Sequence, residues 1–186
     1  IGSKYLKAGP GYGGSCFPKD VKAFSATAKN HGVDLSIIEA VNLSNELRPK
    51  KIASKILNIF NNQLNNVVIG VLGLSFKANT DDIRDSTSMI IVKELIGAGA
   101  IIKCFDPQAM EKARSILPDL KCCKSAYEVS KDAEALIIAT EWNNFRALNL
   151  NIIKDYMKKP VIIDLRNVYN QEEVNSLGIK YYGVGK

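Results

Sequence analysis

The sharpest chemical signal lies near the start of the chain. Ala8-Gly9-Pro10-Gly11-Tyr12-Gly13-Gly14-Ser15-Cys16-Phe17-Pro18-Lys19-Asp20 sets one cysteine after a run of glycines and just before a segment of helical periodicity. Glycines let a backbone approach a ligand closely and take positive φ. Pro18 suits the first turn of a helix, where its missing N–H is no loss. A thiol at a helix N-terminus beside Lys19 meets partial positive charge and free N–H groups. Such surroundings lower a cysteine pKa and produce a thiolate nucleophile. Asp20, one turn on, is placed to orient a water or carry a proton. A small buried cysteine beside an ordinary glycine turn is the other reading, and composition leaves both open. Cys104 falls in a strand, where burial accounts for it, and Cys122 and Cys123 read as inert. With one histidine, His31, and no C-x-x-C spacing, a metal site is not expected. Reduced cysteines in a cytoplasmic protein are the default.

Two further segments carry charge at places where α/β folds bind ligands. Val71-Leu72-Gly73-Leu74-Ser75-Phe76-Lys77 leads into Thr80-Asp81-Asp82-Ile83-Arg84-Asp85-Ser86. A loop after a first parallel strand is such a place, and Lys77 and Arg84 would draw phosphate to it. Gly70 and Gly73 do not complete G-x-G-x-x-G, so nothing here by itself points to NAD. A solvated surface loop explains the same residues. Asp164-Leu165-Arg166-Asn167 and Glu141-Trp142 follow later strands at the same expected edge, where an arginine suits a phosphate or a sugar hydroxyl. A surface arginine and a core tryptophan are the plainer alternatives.

These residues need elements to hold them. Val21, Phe24 and Ala28 predict a helix that stops near His31-Gly32. Ile37, Ile38, Val41, Leu47, Ile52, Ile56, Ile59 and Phe60 predict a second helix from about Asp34 to the Asn-rich stretch 61–66. It would span about 30 residues, or roughly 45 Å, with Pro49 inside it. A helix of that length commonly bridges domains or packs on a second copy of itself. From Val67 the pattern changes. Strands are expected at Val67–Leu72, Ile101–Phe105, Ala135–Ala139, Val161–Leu165 and Lys180–Gly183. Helices are expected at Ser86–Gly97 and Gln108–Ile116 and near Tyr127 and Ile153. Such alternation implies an α/β fold with a doubly wound, Rossmann-like parallel sheet and helices on both faces. Two domains follow, 1–65 helical and 66–186 α/β.

The chain has 186 residues, 46% hydrophobic and 24% charged, enough for a real core and too apolar for wholesale disorder. No apolar run approaches the roughly 18 residues of a membrane span. The net charge is +6, but the basic residues are scattered among 19 acidic ones, which favours an anionic small molecule over nucleic acid. The chain opens Ile1-Gly2-Ser3 with no initiator Met, and reads as part of something longer.

Together the motifs resemble the UDP-glucose/GDP-mannose dehydrogenase family, in order along the whole chain. They are Gly9 to Asp20, Gly73 to Lys77, Asn79 to Arg84, Phe105-Asp106-Pro107, Thr140-Glu141-Trp142 and Asp164 to Asn167. Ser15-Cys16-Phe17 and Thr140-Glu141-Trp142 look like the UDP-glucose group within it. The resemblance implies a two-step oxidation of a sugar C6 alcohol to a carboxylate with two NAD, in nucleotide-sugar metabolism and polysaccharide biosynthesis. Cys16 would form a thiohemiacetal and then a thioester, with Asp20 assisting the water. UDP-glucose contacts would map onto Lys7, Ala8, Gly9, Pro10, Gly11, Tyr12, Gly13, Phe76, Lys77 and Arg166. NAD contacts would map onto Cys16, Phe17, Pro18, Lys19 and Arg84. The long helix would form a homodimer. Ala78 replaces a common proline. The family's N-terminal NAD-binding Rossmann domain, and also a Glu, a Lys and an Asn that the family uses in catalysis, have no counterpart in these 186 residues. A nucleotide-sugar-binding or dimerisation module without catalysis of its own is therefore kept as the alternative.

Overall fold

The structure is a computed structural model that describes residue 2 and residues 6–185. Residues 1, 3–5 and 186 of the two expected domains lie outside the described residues. Two helices come first, α1 (Phe17–Asn30) and α2 (Ser36–Ile59). Then β1 (Val68–Leu72), α3 (Thr87–Gly97), β2 (Ile101–Phe105), α4 (Met110–Ile116), β3 (Lys121–Cys122), α5 (Ala126–Ser130) and β4 (Ala135–Ile138) follow. The chain closes with α6 (Asn143–Arg146), α7 (Leu150–Tyr156), β5 (Val161–Asp164), α8 (Gln171–Ser176) and β6 (Lys180–Gly183).

The six strands form one parallel sheet in the order β3-β2-β1-β4-β5-β6. This is the doubly wound arrangement that the alternating pattern predicts. β1 and β4 are near-continuous apolar runs because both sheet faces are covered. On one face Ile69, Val71, Ile102, Cys104 and Ile137 pack with Ile91 and Leu95 of α3 and Ile52 and Ile56 of α2. On the other, Leu72, Leu136, Ile138 and Ile162 pack with Val129, Phe145, Ile153 and Val174. The strand order reverses at β1, which is flanked by β2 and β4. A crevice opens there at the carboxyl ends of the strands.

The helical region departs from expectation in two respects. α2 ends at Ile59, short of residue 65, because Asn61 and Asn62 turn into the left-handed region at φ 53° and 59°. Its 24 residues reach about 36 Å. The inward stripe of α2 also differs from the one expected. Pro49, Ile52, Ala53 and Ile56 are buried, and Ile38, Asn42 and Asn45 half-buried, whereas Ile37, Val41 and Leu47 face outward, as does Phe24 of α1. Among the described residues no helix is long and apolar enough to cross a membrane.

Candidate functional site

Two carboxylates brace the carboxyl edge of the sheet. Asp106, just past β2, is buried and accepts five hydrogen bonds. Three come from Leu74 N, Ser75 N and the Ser75 hydroxyl, and two from Gln108 N and Ala109 N. It fixes the loop that leaves β1. Asp164, at the end of β5, accepts from Arg166 N through one oxygen and from Tyr169 N and the Tyr181 hydroxyl through the other. Burial, with the Asp164 charge behind it, pushes the Tyr169 and Tyr181 hydroxyls well above the ordinary tyrosine range.

Arg166 is thereby set across the crevice. Its Nε donates to Ala139 O at 3.0 Å and lies 3.2 Å from the Glu141 carboxylate, and one terminal nitrogen donates to Phe76 O at 3.2 Å. Burial draws its pKa down and Glu141 opposes the shift. A guanidinium stays charged regardless. The other terminal nitrogen faces the glycine loop, 3.0 Å from where a Cβ on Gly9 would stand.

The loop is pressed onto this edge so closely that side chains are excluded. A Cβ on Gly13 would lie 2.3 Å from Asp85 O, and one on Gly14 (φ 89°) 2.8 Å from the Phe76 ring. Gly14 N–H donates to Arg84 O at 2.9 Å. Tyr12 exchanges two hydrogen bonds with the Asn45 side chain, and Gly9 O accepts two from Arg48, both residues on α2. Between loop and sheet edge lies a cleft of about 690 Å³, lined by Leu6, Gly11, Tyr12, Gly13, Phe17, Phe76 and Arg166. That volume suits a small-molecule ligand.

Cys16 is the N-cap of α1, exposed, with its sulfur 3.6 Å from the Ser15 hydroxyl. Pro18 is buried in the first turn of that helix, and Phe17 meets the Tyr12 ring edge-on at 4.8 Å. The Asp20 carboxylate pairs with Lys19 at 3.1 Å, both groups largely exposed. Arg84 pairs with Asp82 through two bonds, at 3.0 and 2.8 Å. That pairing holds Asp82 below the usual carboxylate range and raises Arg84, with a smaller contribution from nearby Cys16. Lys77 lies over the Phe76 ring at 5.2 Å. The expected residues Gly9, Gly11, Tyr12, Gly13, Phe17, Phe76 and Arg166 thus come together, and Pro10 is buried in the same loop. Lys7, Ala8, Lys19, Asp20, Lys77 and Arg84 are exposed.

A dinucleotide does not fit this sheet. The carboxylate past β2 would be expected on a ribose, but Asp106 is saturated by its five internal donors. A Cβ on Gly73 would strike Thr140 Oγ1 at 1.5 Å, so this glycine serves packing.

Residues 70–171 match the UDP binding domain of the UDP-glucose/GDP-mannose dehydrogenase family, and residues 1–47 match its central domain. The chain is 44% identical over its full length to the UDP-glucose 6-dehydrogenase of Rhizobium meliloti (strain 1021), covering 43% of that relative. It is 43% identical to the enzyme of that name from Rickettsia bellii (strain RML369-C), again along the whole chain and covering 43% of the relative. Among solved structures, a UDP-glucose dehydrogenase from Pyrobaculum islandicum superposes with a TM-score of 0.83 at 36% identity. The alignment covers 99% of this chain and 40% of that one. The chain thus spans well under half the length of the relatives it matches.

Proposed function

The chain belongs to the UDP-glucose/GDP-mannose dehydrogenase family, and from that premise we propose that it supplies the nucleotide-sugar site of a UDP-glucose 6-dehydrogenase. The whole-protein activity in this reading is NAD-dependent oxidation of UDP-glucose to UDP-glucuronate. One juxtaposition carries it: the glycine loop lies over Phe76 and Arg166 at the point where the strand order reverses. Loop N–H groups, Arg166 and the exposed cations Lys7 and Lys77 answer a diphosphate, and Phe76 offers a ring face. Residues Lys7 to Gly13, Phe76, Lys77 and Arg166 are assigned to UDP-glucose. Phe17, Pro18, Lys19 and Arg84 are assigned to the NAD side, together with Cys16.

Cys16 stands at the end of the same loop, exposed, at the start of a 14-residue helix. Its thiolate would add to a C6 aldehyde. A C–S bond forms, the carbonyl electron pair moves to oxygen, and the oxygen takes a proton to give a thiohemiacetal. Asp20 would orient the water that later releases the acid, on leaving Lys19. NAD, when bound by the whole protein, supplies the hydride acceptor. A homodimer through α2 and a cytoplasmic location belong to the same reading.

Calorimetric titration of this chain tests it. UDP-glucose should bind, whereas NAD should not bind measurably, and mixing both should generate no NADH absorbance. Absent UDP-glucose binding would overturn the site, and NADH formation would show that the cofactor site has been misplaced. In the whole protein, Cys16→Ser should halt the second oxidation, because a hydroxyl is a far weaker nucleophile than a thiolate. Unchanged uronate output would remove Cys16 from the chemistry.

A further inference from the structure

The glycine loop is the least self-sufficient part of the site, and α2 compensates for that. Gly9, Gly11, Gly13 and Gly14 give it great conformational freedom, with Gly11 at φ 127° and Gly14 at φ 89°. Tyr12 is held by a single side chain at both of its backbone groups. Its N–H donates to Asn45 Oδ1 at 2.9 Å, and Asn45 Nδ2 donates to its carbonyl at 3.0 Å. One turn further along α2, Arg48 donates twice to Gly9 O, at 3.2 and 3.1 Å. One turn before, Asn42 accepts from the Tyr12 hydroxyl at 3.3 Å. A Cβ on Gly11 would lie 2.8 Å from Asn45 Oδ1, so a glycine is what lets the clamp close.

Asn42 and Asn45 continue the stripe that becomes Pro49, Ile52 and Ile56. Amides on the inward face of a helix are costly unless they are satisfied, and the loop backbone satisfies Asn45. The geometry points to Asn45 and Arg48 as positioning residues. Asn45 sets the loop's height over Phe76 and Arg166, Arg48 sets its entry, and together they pre-organise the loop N–H groups for the nucleotide sugar. The inference rests on the proposed UDP-glucose site. It adds that α2, which need not touch the ligand, fixes the geometry of the part that does.

The test uses the full chain, with two readouts. One is UDP-glucose affinity by calorimetry. The other is hydrogen exchange of the Tyr12 amide by NMR in the ligand-free protein. Asn45→Ala should weaken UDP-glucose binding about tenfold and speed Tyr12 exchange by a similar factor, while amides of β1 and β4 keep their protection. Asn45→Asp separates positioning from bulk. Ionised, the new carboxylate repels the Tyr12 carbonyl. Protonated, it offers a donor and an acceptor as the amide does.

Its binding defect should therefore shrink relative to the unmodified chain as pH falls from 7 toward about 4, within the carboxylate range. UDP-glucose has no phosphate that titrates in that interval. The charged groups around the position are Lys22 and Glu46, paired at 3.1 Å, together with Asp85 and Arg48. The unmodified chain measured over the same range accounts for them. Should Asn45→Ala not fold, Asn45→Asp across pH and the exposed Arg48→Met still decide, the latter with an expected loss of about threefold in affinity. A Tyr12 amide as protected in Asn45→Ala as before would overturn the inference, and so would a pH-independent Asn45→Asp defect. If the unmodified chain fails to bind UDP-glucose, the functional reading falls, and the exchange results still judge the clamp.

Discussion

The helical region and the sheet solve the burial problem differently. Among the described residues eleven large apolar side chains stand exposed; eight lie between Leu6 and Leu47, and Ile116, Ile152 and Tyr156 lie in the sheet region. Most positions of β1 and all of β4 are buried. Asp106 and Asp164 tie the loops at the sheet's carboxyl edge with internal hydrogen bonds. The sheet therefore closes its own core. The first two helices contribute only the C-terminal half of α2 to that core and leave the rest of their apolar surface uncovered. The glycine loop sits where the two regimes meet, so its order depends on both.

This contrast predicts an asymmetry under mutation. Leu136→Ala, at a fully buried position of β4, should cost about 3–4 kcal/mol in urea unfolding. Asp106→Ala should cost about 2–3 kcal/mol by the same measurement, because it strands buried backbone donors of two loops. A loss as small as that of a surface change would show that water replaces the carboxylate and that the edge is less self-contained than it looks.

A smaller effect is expected at the opposite end of the strands. Glu134 accepts from Lys158 at 2.8 Å and pairs with Lys159 at 2.6 Å, and these two lysines hold its carboxyl below the ordinary value of 4.5. A folded-state pKa depressed in this way stabilises the fold fully above pH 4.5. The contribution fades as pH falls through the lower folded-state value. Both lysines are mostly exposed, so solvent screening keeps the contribution to a few tenths of a kcal/mol. Glu134→Gln should flatten the acid limb of stability below pH 4.5 and leave the neutral value almost unchanged. The least change is expected for Ile37→Ser on the outer face of α2, 77% exposed. It should shift unfolding by no more than about 0.5 kcal/mol in the monomer. If α2 forms the proposed dimer, the same change should instead lower the sedimentation-velocity dimer fraction.

Legibility in the sequence followed the same divide. Strands that are buried on both faces are apolar runs bounded by turn residues, and β1, β2, β4, β5 and β6 fall within a residue of where that pattern puts them. β3 has two residues, too few to show any pattern, and α6 has four. α2 misled because its outward face is as apolar as its inward one. Ile37, Val41 and Leu47 imitate a core stripe, while the inward positions 42 and 45 are asparagines. Those asparagines were themselves a signal: amides at helical spacing ahead of Pro49, Ile52 and Ile56 mark a helix face that meets a backbone. Cys16, Phe76 and Arg166 stood out by motif. Asn45 and Arg48 act on main chain and carry no motif of their own.

The central claim is that UDP-glucose sits between the glycine loop and the carboxyl edge of the sheet. Its most direct test is a titration of UDP-glucose into the isotope-labelled chain, followed amide by amide. The account predicts shifts at Gly9, Gly11, Tyr12, Gly13 and Gly14, at Phe76 and Lys77 and at Arg166. It predicts none at the other end of the strands around Glu134, Lys159 and Lys180, and Arg166→Met should weaken the response about tenfold or more. Shifts centred on that opposite edge, or a response that Arg166→Met leaves intact, would contradict it.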